Sequence, residues 1–220
     1  MREIYSMQEI NKLIHGYQRF HKKYFQEQPE LYKSLFEEGQ FPKFLVISCC
    51  DSRVHPAQVL DTAPGDIFVV RNVANLVPVN EVDGKSHGTS AAMEFAVKHL
   101  GVRHIMIMGH SQCGGIKSLM EGDHSDKDYG FIDPWMKNAK SARDRILKEH
   151  PDKDFSEQCS LCEKESICVS IDNLMTFPWI KERHDSGNLF FHGWHFDIGN
   201  GELVGKQGNE FVSVKNLVIE

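Results

Sequence analysis

The chain has 220 residues, 40% apolar and 25% charged, which suits one domain of the larger kind built on a covered central sheet. Its net charge of −6, from 25 basic and 31 acidic residues, argues against a nucleic-acid binder, because phosphate affinity needs a basic face. The first nine residues mix charges where a secretory leader needs an apolar core, and no apolar run approaches the roughly 20 residues of a membrane span. A cytoplasmic protein is expected, with its six cysteines present as thiols and no nucleic-acid or membrane partner.

From Ile4 to Phe36 apolar residues recur at helical spacing: Ile10, Leu13, Ile14 and Tyr17, then Phe20, Tyr24 and Phe25. Pro29 divides this arm, residues 1–37, into two helices, with Leu31, Leu35 and Phe36 on the second. Core packing is the plainer use of so aromatic a segment, and reaching across a partner subunit is the other. Phe44-Leu45-Val46-Ile47 is a continuous apolar run, the mark of a strand buried on both faces in a parallel sheet. After the turn Ala63-Pro64-Gly65-Asp66 a second such run, Ile67-Phe68-Val69-Val70, ends at Arg71-Asn72.

A helix is expected over 86–100, with Ala91, Ala92, Phe95, Ala96 and Leu100 as its stripe and Gly101 as its stop. Ile105-Met106-Ile107-Met108 is the third buried run. A helix starting at Ile116, after Gly114-Gly115, would set Cys113 near a helix N-terminus whose amides favour a thiolate. The stretch 122–151 is polar with helical character over 135–147, and 151–156 has the composition of a loop. A helix over 163–174 should end before Pro178, and 188–196 with 201–205 should form a closing strand and hairpin. The expected fold is α/β: a mostly parallel central β-sheet flanked by helices, with an N-terminal helical arm, all within one domain over 1–220.

Two motifs carry the chemistry. Ile47-Ser48-Cys49-Cys50-Asp51-Ser52-Arg53 and Met108-Gly109-His110-Ser111-Gln112-Cys113-Gly114-Gly115 each follow a buried run and stop on borderline metal ligands. Two thiolates and one imidazole at neighbouring strand ends are the make-up of a zinc site, and three protein ligands leave a fourth position open, as in a catalytic zinc. The carboxyl ends of strands are where open α/β sheets place their sites.

These motifs resemble the signature of the β-class carbonic anhydrases, together with Val69 to Pro78, Cys162-Glu163-Lys164-Glu165 and Asn173 to Trp179. The likeness runs over roughly 43–205, most of the chain. It implies one zinc per chain on Cys49, His110 and Cys113, reversible hydration of carbon dioxide to bicarbonate by a zinc-bound hydroxide, and catalytic roles for Asp51 and Arg53. The residue chemistry agrees. Zinc brings its water to a pKa of about 7, Asp51 can accept the hydroxide's hydrogen bond, and Arg53 can hold Asp51 ionised. The resemblance further implies substrate contacts by Gln40, Phe68 and the Gly114 backbone, and proton transfer by His99, for which a plain helix-surface histidine is an equal alternative. It implies a homodimer or higher even oligomer with the pocket shared between subunits. Phe95 stands where many plant-like members carry tyrosine. Val46 stands where members with an allosteric bicarbonate site carry tryptophan, so with Gln40 the plant-like subtype is indicated.

The remaining candidates have simpler uses. Cys159, Cys162 and Cys168 lack a matched second pair for zinc, Cys50 should point away from Cys49 as a small packing residue, and His192 and His195 lie in an alternating aromatic segment. Two rivals stay open at this point: hydrolysis of carbon disulfide or carbonyl sulfide on the same scaffold, and a zinc-stabilised scaffold without catalysis.

Overall fold

The structure, a computed structural model, describes residues 2–122 and 130–216. Residues 123–129 of the polar stretch lie outside the described residues. The chain separates into two compact units, Met1–Gln40 and Phe41–Glu220.

In the first unit, α1 (Arg2–His21) runs into a π-helical turn, Lys22–Glu27, and Pro29 opens α2 (Pro29–Glu38) as its first residue. Proline is favoured there because its missing N–H would have no partner in a first turn. Phe20, Tyr24, Phe25 and Tyr32 pack ring against ring, with centroids 4.9–5.7 Å apart for the contacts that Tyr32 makes. Ile10, Leu13, Ile14 and Tyr17, the stripe of α1, are exposed.

In the second unit, a six-stranded sheet has the order β2-β1-β3-β4-β5-β6. Its strands are β1 (Phe44–Cys49), β2 (Ile67–Asn72), β3 (His104–His110), β4 (Phe190–Phe196), β5 (Leu203–Gln207) and β6 (Glu210–Ser213). The first four are parallel and the last two pair antiparallel, so the expected α/β fold holds. From β1 the chain goes to β2 on one side and then to β3 on the other, which makes the β1/β3 boundary the switch point of the sheet. Ligands bind at such a boundary because the loops diverge there and leave a crevice.

On one sheet face Leu45, Ile47, Ile105 and Ile107 meet Met93, Ala96 and Val97, with Ile167, Leu174 and Ile180 from the later helices. The other face gathers Val46, Met106 and Met108 with Val54 and the short α3 (Pro56–Val59). A third apolar cluster, built by α5 (Gly114–Glu121), α6 (Ile132–Met136), α7 (Lys140–Glu149) and α8 (Phe155–Leu174), encloses Cys49 and Cys113.

Several expectations need correction. β2 is half-buried along its length rather than fully buried, because it forms an edge of the sheet. The helix expected over 86–100 is α4 (Gly88–Glu94) continued by a π-helical turn, Phe95–His99. α8 starts at Phe155, inside the expected loop, because Asp154 and Glu157 form a reciprocal capping box. Pro178 opens a further helix, α9 (Pro178–Asp185), rather than merely marking a stop. α5 begins at Gly114, two residues before Ile116. Cys50, expected to be a small packing residue, is instead exposed beside buried Cys49.

Candidate metal centre

Cys49 is the last residue of β1 and His110 the last of β3, and Cys113 is the N-cap of α5. Parallel pairing puts Ser48 beside Met108, so both strand ends leave the sheet at one level. The chain turns at once after β3: Gln112 sits in the left-handed region at φ 57°, and Cys113 follows it into the helix. Such strain in a non-glycine residue persists only where its surroundings hold it. Gly115 is required for the close approach of α5, since a Cβ there would lie 2.8 Å from Val73 Cγ1 and 3.0 Å from Ala74 Cβ.

The ligand atoms of Cys49, His110 and Cys113 all lie within 4.8 Å of one another, and the two sulfurs are 4.0 Å apart. Zinc–sulfur bonds of about 2.3 Å at a tetrahedral angle would set two sulfurs about 3.8 Å apart. His110 Nδ1 donates to the Ser111 carbonyl at 2.9 Å, which leaves Nε2 as the ring's lone-pair nitrogen. That Nε2 is buried without a hydrogen-bond partner in the structure. A buried imidazole nitrogen left unpaired beside two sulfurs has the donor set of a zinc ligand group.

The electrostatics point the same way. Cys113 lowers the Cys49 thiol, with His110 and the backbone amides of Asp51 and Ala74 adding to that against burial. Cys113 is pushed up, by Cys49 first and by burial second, while the Gly115 and Ile116 amides oppose the rise. Burial pulls His110 down, but Cys49 and the Ser111 carbonyl leave it raised overall. Two thiols this close share a proton until a cation takes its place.

Asp51 and Arg53 stand at the edge of this cluster. Asp51 Oδ2 lies 3.9 Å from His110 Nε2. Arg53 donates Nε to Asp51 Oδ1 at 3.0 Å and Nη2 to Oδ2 at 2.8 Å. This contact holds the Asp51 carboxyl far below the usual carboxylate range against a smaller opposing effect of burial, and it raises the guanidinium in turn.

Arg71, given no role of its own in the sequence reading, clamps the loop after β1. Its Nε donates to the Cys49 carbonyl at 2.9 Å, and its Nη2 donates to those of Asp51 and Val54 at 2.8 and 3.0 Å. Its signals were a charge directly after four apolar residues and its place within the Val69 to Pro78 segment of the resemblance. Trp135 Nε1 donates to the Val73 carbonyl at 2.8 Å and so braces the turn carrying Ala74. Ser111 is tied to the loop after β4 by the Ile198 amide on its Oγ at 2.9 Å.

The other expected site residues fall elsewhere in the chain. Gly114 opens α5 next to Cys113 with open space about its Cα. Phe68 pairs with Leu45 while Asn72 pairs with Cys49, so Phe68 sits about 13 Å back along the strand at about 3.3 Å per residue. It neighbours Phe95 at 6.0 Å, and Phe95 stacks on exposed His99 at 5.2 Å. Gln40 closes the first unit. Cys159, Cys162 and Cys168 are free thiols on α8, and burial pushes Cys162 up to about 12.

Comparison with known proteins agrees with this geometry. Residues 44–203 match the family model described as carbonic anhydrase. The β carbonic anhydrase 3 of Arabidopsis thaliana is 38% identical over 194 residues, covering 87% of this chain and 74% of that protein. The β-carbonic anhydrase CcaA superposes with a TM-score of 0.88 at 32% identity, over 94% of this chain and 92% of that one. A β-carbonic anhydrase of Sordaria macrospora, one of two described as tetrameric, has a TM-score of 0.73 at 30% identity, over 96% and 100% of the chains. With the cluster of two cysteines and a histidine at its switch point, the chain belongs to the carbonic anhydrases, in their β class, and is an enzyme of carbon dioxide hydration.

Proposed function

We propose that Cys49, His110 and Cys113 hold one zinc ion per chain and that Asp51, kept ionised by Arg53, orients the attacking oxygen in the hydration of carbon dioxide. The observation that carries this is the orphaned His110 Nε2 within 4.8 Å of two sulfurs, with Asp51 Oδ2 at 3.9 Å. When bound, zinc supplies a Lewis acid that brings the pKa of water to about 7. An ionised carboxylate only accepts hydrogen bonds. Asp51 therefore accepts a hydrogen bond from the attacking water and fixes where that oxygen's lone pair points. Arg53 keeps the carboxylate from turning, because it engages both oxygens and also donates to the Gln112 carbonyl at 3.1 Å.

Gly114, at the N-terminus of α5, adds backbone polarity that favours bicarbonate's negative charge. Phe68 and Gln40 serve a site shared between subunits, a role supported by the distance of Phe68 from the cluster of its own chain. His99, exposed and stacked on Phe95, passes protons to buffer. Val46 is fully buried beside Val69 and Met106, a setting that supports the plant-like subtype without an allosteric bicarbonate site.

The arm over 1–37 packs on a partner subunit through the exposed stripe of α1, giving a homodimer or higher even oligomer. The tetrameric relatives support this reading. Leu13→Glu should lower the mass found by sedimentation, and an unchanged mass would refute that use of the arm. Six free thiols support a reducing, cytoplasmic location, which cell fractionation tests. Among the described residues no helix is long and apolar enough to cross a membrane.

Stopped-flow hydration of carbon dioxide tests the whole reading. Zinc-loaded protein should be active, chelator-treated protein inactive, and zinc should restore the rate. Inactivity of protein carrying one zinc per chain would refute it, and sulfide release from carbon disulfide in its place would redirect it.

A further inference from the structure

The pair Glu163 and His195 is buried and takes no part in the mechanism above. Glu163 is 4% exposed and His195 5%. Glu163 Oε1 accepts the Cys113 backbone N–H at 3.1 Å, and Oε2 lies 3.2 Å from His195 Nε2. Burying ionisable partners carries a desolvation cost that their attraction does not generally recover, and apolar replacements are often neutral or stabilising. Packing alone would therefore favour apolar side chains here, like those of neighbouring Cys162 and Ile167.

What distinguishes this pair is the N–H it engages. Cys113 is the N-cap of α5 and has no side-chain cap bond of its own, and it follows strained Gln112. Its carbonyl accepts the Lys117 N–H within the helix, but its own N–H finds its partner outside the loop. That partner comes from α8, 50 positions away in sequence, and His195 of β4 engages the other oxygen of the same carboxyl.

We propose that Glu163, held by His195, is a positioning residue for Cys113: it fixes the backbone that aims the sulfur, so that metal retention depends on α8 and β4 as well as on the three ligands. This rests on reading the cluster as a metal site. Hydrogen-bond partners behind metal ligands typically account for 10–100-fold in affinity or activity.

Cobalt(II)-loaded full-length protein tests the proposal through its thiolate-to-cobalt absorption and its rate of metal release to excess EDTA, with circular dichroism as the check on folding. Glu163→Ala should release cobalt about 10–100-fold faster than wild type and shift the thiolate band. Glu163→Gln should stay close to wild type, since its amide oxygen still accepts the Cys113 N–H and its NH2 still meets the His195 ring. His195→Phe, which leaves the carboxyl one partner, should fall between the two and replaces Glu163→Ala in the comparison should that variant not fold. Wild-type release from the folded loss variant overturns the proposal, and so does failure of Glu163→Gln to rescue. Wild-type protein that takes up no cobalt would instead refute the metal site itself.

Discussion

Three donors of a single residue saturate one side of the Asp51 carboxylate: the Arg53 backbone N–H at 2.9 Å, Nε at 3.0 Å and Nη2 at 2.8 Å. Because Arg53 also reaches the Gln112 carbonyl, it joins the loop after β1 to the loop after β3. The acid that faces the cluster and the turn that carries Cys113 are therefore held by one side chain.

Removing that side chain should separate binding of metal from use of it. Arg53→Ala is expected to keep its zinc by atomic emission yet lose on the order of 100-fold or more in kcat/KM. Its acid stability should change as well. The folded Asp51 pKa lies below the unfolded value of about 3.9, so its contribution is present at neutral pH and is lost as pH falls below about 4. Arg53→Ala lacks that contribution, so its unfolding midpoint should fall less steeply with acid than that of wild type. Parallel slopes would contradict the pairing.

Arg71→Ala removes three bonds to the carbonyls of Cys49, Asp51 and Val54. With two or three buried acceptors left unpaired, a loss of about 2–4 kcal/mol is expected in urea unfolding. Activity should fall with it, because Asp51 then hangs on a loosened loop. A variant as stable and as active as wild type would show that the clamp is dispensable.

The two glycines at the start of α5 should respond differently. Gly115→Ala places a methyl against Val73 and Ala74 and should cost about 1–3 kcal/mol, or about 2–4 °C in Tm for each kcal/mol. Gly114→Ala meets nothing within 4 Å and should leave Tm and zinc content unchanged. If Gly114 contacts substrate, that variant raises KM. Calorimetry and hydration kinetics on the two proteins check both halves.

His99→Ala tests the proton path. The residue is exposed on the last turn before Leu100, so its loss should leave stability within about 0.5 kcal/mol of wild type. The maximal rate should drop at low buffer concentration and recover as imidazole buffer is added, with KM unchanged. A rate indifferent to buffer would remove His99 from the path.

The apolar runs at Phe44 to Ile47 and Ile105 to Met108, each soon followed by Cys or His, were enough by themselves for the α/β sheet and for grouping Cys49, His110 and Cys113 at its carboxyl end, where the structure brings their donor atoms within 4.8 Å. Local period and abrupt chemical change along one segment report strand ends directly. Helix starts were less legible: Asp154 and Glu157 do form a capping signature, but it is masked by the polar residues around it. The status of β2 as an edge strand was hidden too, since exposure depends on which strand lies alongside and not on the strand's own composition. Only the tertiary structure decided that Arg71 grips the Cys49 loop, 22 positions away, and that Glu163 and His195 stand behind Cys113. These contacts join side chains from different elements, and a hydrogen bond through space leaves no periodic trace in the chain that makes it.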